Sequence, residues 1–382
     1  NMDFNLTSEQ KIIQQTVNKI AQQYLAPRAA EIDRTYTFPW DGIRKLAESD
    51  IMGMIIPSEY GGVGADNLSF VLATEEIAKA CASTALITVS HTAVCKGILI
   101  AGNDAQKKKF LPLLARGEKI GAFAVHEANC GSNAMAIETK ALASGNDYTV
   151  NGSKIFITNA QEAEIYLVLV RTDPAKGPQG ISMLIIEKDT PGFYFGNKDE
   201  RMGFNGVSSR ELVFQDCRVP KENLLGQEGS GLQIVANAIV GFAFLGAAAI
   251  SLGIAQAALD ASIKHGKERI IAGHPIGAHQ GIQYLIADMS ASVDAARSLL
   301  YWTVFKRDNA PSGQLVDILK TKLYASEMAI NVTNKALQVH GGHGYSKELP
   351  IERYYRDARG LTLHFKTSEL LKEDIGKMLM GL

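Results

Sequence analysis

The 382-residue chain carries almost no net charge, with 39 Lys and Arg against 40 Asp and Glu. So balanced a surface gives no bulk field to draw in nucleic acid or an anionic membrane. Cysteine is scarce and scattered. Cys81, Cys95, Cys130 and Cys217 form no CxxC pair. That spacing argues against a disulfide framework and against a metal site, and fits a reducing, cytoplasmic setting. No apolar run of transmembrane length stands out. The longest candidate, 234–259, is rich in Ala and Gly and broken by Asn237, Ser251 and Gln256, so it reads as a buried bundle helix with no membrane role. A basic region followed by an apolar one is missing near the N-terminus, so no secretory signal is expected. No GxGxxG follows a strand to open a helix, and the glycine-rich stretch 57–64 lacks the Lys-Ser/Thr of a phosphate-binding loop.

What is present changes period twice. Residues 1–118 read as helical, with Thr7 or Ser8 capping a segment whose Ile12, Ile13, Val17 and Ile20 recur at helical spacing. Further helices are expected from Phe38-Pro39 to Leu46, from about Leu68 to Ala82, from about Thr84 to Ala101, and after Asn103-Asp104. Residues 119–226 switch to short apolar strands, 165–170, 180–186 and 211–214 among them. No helix of useful length fits between them, so a compact β barrel or sandwich is expected. From 227 to 382 the helical period returns over 230–264, 279–307, 312–339 and 361–380, with Pro275 and Pro311 in loops. The fold class is α+β: helical, then β, then a four-helix bundle.

One stretch organises the chemistry: Phe123-Ala-Val-His-Glu-Ala-Asn-Cys-Gly-Ser-Asn133, read with Phe156-Ile-Thr-Asn159. The first is a polar turn closed by Gly131 and Ser132. The second ends a segment, 147–156, read as a hairpin that turns at Asn151-Gly152. A planar heterocycle fits against Phe156 while backbone N–H groups and the Thr158 hydroxyl meet its polar edge. Taken alone, both tracts also read as ordinary turns of a β domain.

Together with other blocks they resemble the acyl-CoA dehydrogenase family of FAD flavoproteins over essentially the whole chain. The other blocks are Glu268-Arg269 with Gly273, Pro275 and Gln280, Gln338-Val-His-Gly-Gly-His-Gly-Tyr345, Arg356-Asp-Ala-Arg359 and Thr367-Ser-Glu369. The resemblance implies FAD, an acyl-CoA substrate, an electron-transferring flavoprotein as acceptor, and a homotetramer built from two dimers. It implies that Phe156 covers the isoalloxazine and that the Thr158 hydroxyl meets its N5 edge. Phe123, Val125, His126, Gly131 and Ser132 belong to the flavin turn, and Ser132 also touches substrate. His126 stands where the family usually has threonine, while Ala128 and Asn133 replace the usual Pro and Asp. Arg269, Gln280, Gln338, Gly341 and Gly342 match positions that hold the diphosphate and adenosine of a neighbouring subunit's FAD, and Thr367 and Glu369 complete the cofactor set. The fork of Arg suits a diphosphate, and paired glycines admit its close approach.

The proton acceptor breaks the pattern. The family's usual end reads Tyr-Glu-Gly-Thr, whereas a gap-free reading here gives His364-Phe365-Lys366-Thr367. A second position used by some members falls in Gly241-Phe-Ala-Phe244, which holds neither acid nor arginine. Phenylalanine takes up no proton, and a general base is worth ~10²–10⁴ in rate. Phe244 and Phe365 therefore read as an apolar wall for a bulky acyl group. A branch acting on cyclohexene-carboxyl-CoA thioesters also lacks this glutamate, and the chain resembles it in that loss. His91 and His364 are the candidate bases. Two other readings stay open: a non-catalytic FAD and acyl-CoA binding protein, and a straight-chain dehydrogenase whose base lies elsewhere.

Overall fold

In the computed structural model, residues 5–309 and 314–382 are described. The first helix, Ser8–Ile20, starts on a capping box in which Thr7 accepts from the Gln10 N–H and Gln10 answers at Thr7. Asn103 and Gln106 repeat that device at the helix Asp104–Ala115. Between them run helices Asn67–Ala80 and Ala82–Ala101, both almost wholly buried.

The middle of the chain forms the expected β domain, as one mixed eight-stranded sheet. Its strands are β1 (Gly121–Ala124), β2 (Lys140–Ser144), β3 (Asp147–Thr158), β4 (Ile165–Arg171), β5 (Ile181–Glu187), β6 (Phe193–Lys198), β7 (Ser209–Pro220) and β8 (Leu224–Leu225). Their order is β6-β7-β3-β2-β4-β5-β8, with β1 parallel to β4. Six consecutive residues of β4 and of β5 are buried, which explains their almost wholly apolar sequence, broken only by Ser182, whose hydroxyl is hydrogen-bonded to Thr172. The hairpin expected at Asn151-Gly152 is absent. β3 runs straight through those residues with a bulge against β7, and the turn falls between β2 and β3 at Gly145-Asn146. Gly152, at φ +145°, has its Hα side against Thr139; a Cβ there would lie 2.6 Å from Oγ1.

A long helical tract then runs through Gly231–Val235, a π-helical stretch Ala236–Ala243, and Phe244–Glu268. Helices Gln280–Asn309, Leu315–His340, Ile351–Leu361 and Ser368–Met380 complete the bundle. The expected helix over 361–380 is broken: Leu361 ends one helix and Thr367 caps the next, so 362–367 is a loop. Pro311 and the expected start of the third bundle helix at 312 lie outside the described residues. Two helices, Ala82–Ala101 and Gly231–Glu268, are long and apolar enough to cross a membrane by length and composition, although no run of that length stood out in the sequence; the second contains the 234–259 stretch read as a buried bundle helix. Both are mostly buried inside the protein, where small residues allow tight crossings. At Gly253, for instance, a Cβ would stand 2.5 Å from the Glu75 carbonyl. All four cysteines are free and buried, and no metal-holding cluster occurs among the described residues.

Candidate active site

Asn159 joins the layers that carry the site. Its side chain donates to the carbonyls of Ile87 (3.1 Å) and Gly121 (3.2 Å), pinning the end of β3 to helix Ala82–Ala101 and to β1. Just before it, Phe156 lies where the β3–β7 register slips, at φ +55° and 63% exposed. A left-handed aromatic in a bulge is strained, and so large an exposed ring is what a flat ligand would cover. The Thr158 hydroxyl has no protein partner among the described residues.

The polar turn is fastened from beneath. Ile155 N–H donates to the His126 carbonyl at 2.9 Å. Lys154, wholly buried, donates to the Val125 carbonyl (3.1 Å) and to Glu127 (2.7 Å), while Glu127 accepts from the N–H groups of Glu138 and Thr139. Every oxygen of that carboxylate is thereby used, which is the condition for burying an ion pair. Gly131 turns the chain at φ +53°, leaving Gly131 and Ser132 at the rim. Phe123 on β1 faces Gly97 and packs on the core, and Val125 is buried behind the turn.

His126 links this turn to the C-terminal loop, where its ring hydrogen-bonds the Phe365 backbone. Burial lowers its pKa, and the Lys154 ammonium lowers it further. Phe365 itself is at φ +63°, the apex of a three-residue turn closed by Lys366 N–H to the His364 carbonyl at 2.7 Å. Its own N–H has no acceptor among the described residues. Phe244, delivered at the end of the π-helical stretch, brings its ring centroid within 6.2 Å of that of Phe365. The two positions at which a base was sought thus adjoin one another, and both present phenylalanine.

The candidate bases fare differently. His91 is corrected to a packing residue. It is fully buried, its Nδ1 accepts from Gly121 N–H at 3.2 Å, its Nε2 lies 3.6 Å from Cys95 Sγ, and burial pushes its pKa down to about 4. Backbone groups of Met52 and Leu114 also lie against its ring. His364 does flank Phe365, with ring centroids 6.1 Å apart, and meets Phe204 edge-on at 5.4 Å. Its Nδ1–H donates to the Gly360 carbonyl at 3.1 Å, which leaves the Nε2 lone pair free. Burial, then the Arg201 guanidinium, pushes its pKa down to about 4.

A second cleft, of about 540 Å³, gathers Arg269, Gln338, Gly341 and Gly342 from separate helix ends. Gly341, at φ +57° and ψ −138°, has a conformation that only glycine adopts readily. Gln280 begins the neighbouring helix beside the lining residue Gly281 but is not itself in the wall. Four imidazoles missed in the sequence also line this cleft: His265, His279, His340 and His343. His265 is one turn before Arg269 on the same helix face, a spacing that could have revealed it. Its ring stacks on that of His340 at 4.3 Å. Thr367 uses its hydroxyl to cap the last helix, and Glu369 is exposed in the first turn.

These surfaces fit FAD: an uncovered aromatic beside a free hydroxyl and N–H donors for the ring system, and an arginine with glycines for the diphosphate.

Sequence comparison agrees with the geometry. The profiles described as acyl-CoA dehydrogenase N-terminal, middle and C-terminal domains match residues 7–118, 122–217 and 229–380. The chain is 41% identical to a short-chain specific acyl-CoA dehydrogenase of Clostridium acetobutylicum, covering 97% of this chain and 98% of that one. It is 38% identical to a cyclohex-1-ene-1-carbonyl-CoA dehydrogenase of Syntrophus aciditrophicus, covering 98% and 91%. Among solved structures, butyryl-CoA dehydrogenase from Megasphaera elsdenii superposes with a TM-score of 0.96 at 39% identity, covering 99% of this chain and 100% of that one. With three profiles and full-length relatives in agreement, the chain belongs to the acyl-CoA dehydrogenase family.

Proposed function

We propose that this FAD-dependent acyl-CoA dehydrogenase oxidises an alicyclic acyl-CoA of the cyclohexene-carboxyl type, with proton removal displaced from position 365. The observation that carries the reading is the Phe244–Phe365 pair: both positions at which a carboxylate was sought hold phenylalanine, with ring centroids 6.2 Å apart. An apolar, rounded wall favours a ring over a flexible chain by burying more of its surface. The Syntrophus relative is named for such a substrate.

When bound, FAD supplies the hydride acceptor at its N5 edge. The chain's own residues do the rest. Phe156 and the turn 125–132 hold the flavin ring. Phe365 N–H, turned outward by the positive φ, donates to the thioester carbonyl and acidifies the adjacent carbons, a role independent of the side chain at 365. His364 Nε2 takes the proton; an imidazole with a pKa near 4 is a weak acceptor, so the chemical step is slow on unactivated chains. Arg269, Gln338, Gly341 and Gly342 would hold the dinucleotide of a neighbouring subunit in a homotetramer, and an electron-transferring flavoprotein would be the electron-accepting partner.

A straight-chain reading is favoured by the Clostridium and Megasphaera relatives, which are named for short-chain and butyryl-CoA chemistry. Anaerobic titration of the FAD-loaded protein with cyclohexene-carboxyl-CoA and butyryl-CoA separates the two. The proposal expects flavin bleaching by the cyclic thioester, and rapid bleaching by butyryl-CoA alone would overturn it.

A further inference from the structure

Phe365 holds a backbone conformation, φ +63°, that a bulky residue adopts only under constraint. Something nearby must fix it. The loop 362–367 is tied at several points: Ser368 N–H donates to the Thr362 carbonyl at 3.1 Å, the Ser368 hydroxyl to Glu327, and Lys366 pairs with Asp374. These bonds secure the ends of the loop. The entry to the turn is held by His364 N–H, which donates to the Gly360 carbonyl at 2.9 Å, and the backbone at its exit is held from the neighbouring helix. Lys322, 1% exposed on helix Leu315–His340, donates from Nζ to the Lys366 carbonyl at 2.7 Å.

A buried ammonium held against a lone carbonyl is an expensive arrangement, since desolvation of a charge is compensated only by pairing. No carboxylate pairs with Lys322 among the described residues; Glu327 and Glu369 act on it only at longer range. Burial drives its pKa down to about 8. A methionine or leucine would fill the same space without that cost. The Lys366 N–H to His364 bond fixes the peptide that follows Phe365, and the Lys322 bond fixes the next one, between Lys366 and Thr367, so Lys322 holds the exit of the turn on the C-terminal side of Phe365.

We infer that Lys322 is a positioning residue: by clamping the Lys366 carbonyl it holds the turn at Phe365 so that the Phe365 N–H faces the thioester carbonyl. The inference rests on the reading of that N–H given above. Lys322 acts through the Lys366 carbonyl, from inside the bundle.

Two measurements test it separately. The first is the crystal structure of unliganded Lys322→Met, with Lys322→Gln as a second variant that keeps a donor. The clamp predicts that Lys322→Met loses the Lys366-to-His364 bond and the positive φ of Phe365, while Lys322→Gln retains both. An unchanged turn in Lys322→Met would overturn the inference. The second is the infrared stretch of a ¹³C-labelled thioester carbonyl, using acetoacetyl-CoA bound to the FAD-loaded protein. The wild type should shift it downward, Lys322→Met should lose at least half of the shift, and Lys322→Gln should restore part of it. A full shift in Lys322→Met would again count against the clamp. No shift in the wild type would remove the carbonyl role of Phe365 N–H, and the crystallographic comparison would still decide the clamp.

Discussion

The rings of Phe244 and Phe365 meet at 6.2 Å and 46°, one from the end of a π-helical stretch and one from the apex of a strained turn. Two elements far apart in sequence therefore converge on one wall, and the wall is apolar. π-Helical turns are frequent at functional sites, and this one ends at Phe244.

Restoring a carboxylate at the apex should restore ordinary elimination. Phe365→Glu keeps the loop and adds a base, so flavin reduction by butyryl-CoA should rise on the order of 10²-fold. Anaerobic stopped-flow absorbance reads this directly. Bleaching by the cyclic thioester should weaken in the same variant, because the carboxylate replaces part of the wall.

His364 gives a pH signature. Its ring is neutral at all pH above about 4, compared with 6.5 for a free imidazole. If Nε2 accepts the proton, the rate of flavin reduction stays flat as pH falls through 6.5, and its acid limb lies near 4. An acid limb between 6 and 7 would assign the step to another group. His364→Gln should slow reduction at least roughly tenfold with thioester affinity little changed.

Asp357 controls stability between pH 4 and 6. It is 3% exposed, accepts from Phe204 N–H at 2.6 Å, and burial raises its pKa from 3.8 to about 6. A carboxyl whose folded pKa lies above its unfolded value favours folding while protonated. That contribution is complete below 3.8 and is lost as pH rises through about 6. The loss amounts to roughly 2–3 kcal/mol. Denaturant unfolding as a function of pH should show it, and Asp357→Asn should flatten that profile while keeping an acceptor for Phe204.

Lys154 and Glu127 should behave as a unit. Lys154→Met leaves Glu127 charged and buried, and should destabilise the protein by about 3–5 kcal/mol. Adding Glu127→Gln should recover part of that loss. Flavin retention should fall in the single variant, since the Val125 carbonyl and the turn before Gly131 lose their support.

Much of this was legible in the sequence, for physical reasons. Alternation of period marks helical and strand regions because burial imposes it, and the buried runs at 165–170 and 181–186 read directly as β4 and β5. Local propensity misled at Asn151-Gly152, where pairing on both sides of β3 turned a hairpin signal into a bulge. It misled again at 361–380, where a left-handed residue at 365 interrupts a helical pattern. His91 looked like a ligand-facing base only because helix periodicity does not say which neighbour a face meets; the neighbour is Gly121 of β1. The cleft at Arg269 gathers residues some seventy positions apart, so its imidazoles other than His265 were visible only once the bundle was assembled.

The most direct test of the account is the anaerobic titration of FAD-loaded protein with cyclohexene-carboxyl-CoA. The account predicts that flavin absorbance bleaches with the cyclic thioester and only slowly with butyryl-CoA. Rapid bleaching by butyryl-CoA with none by the cyclic thioester would contradict it.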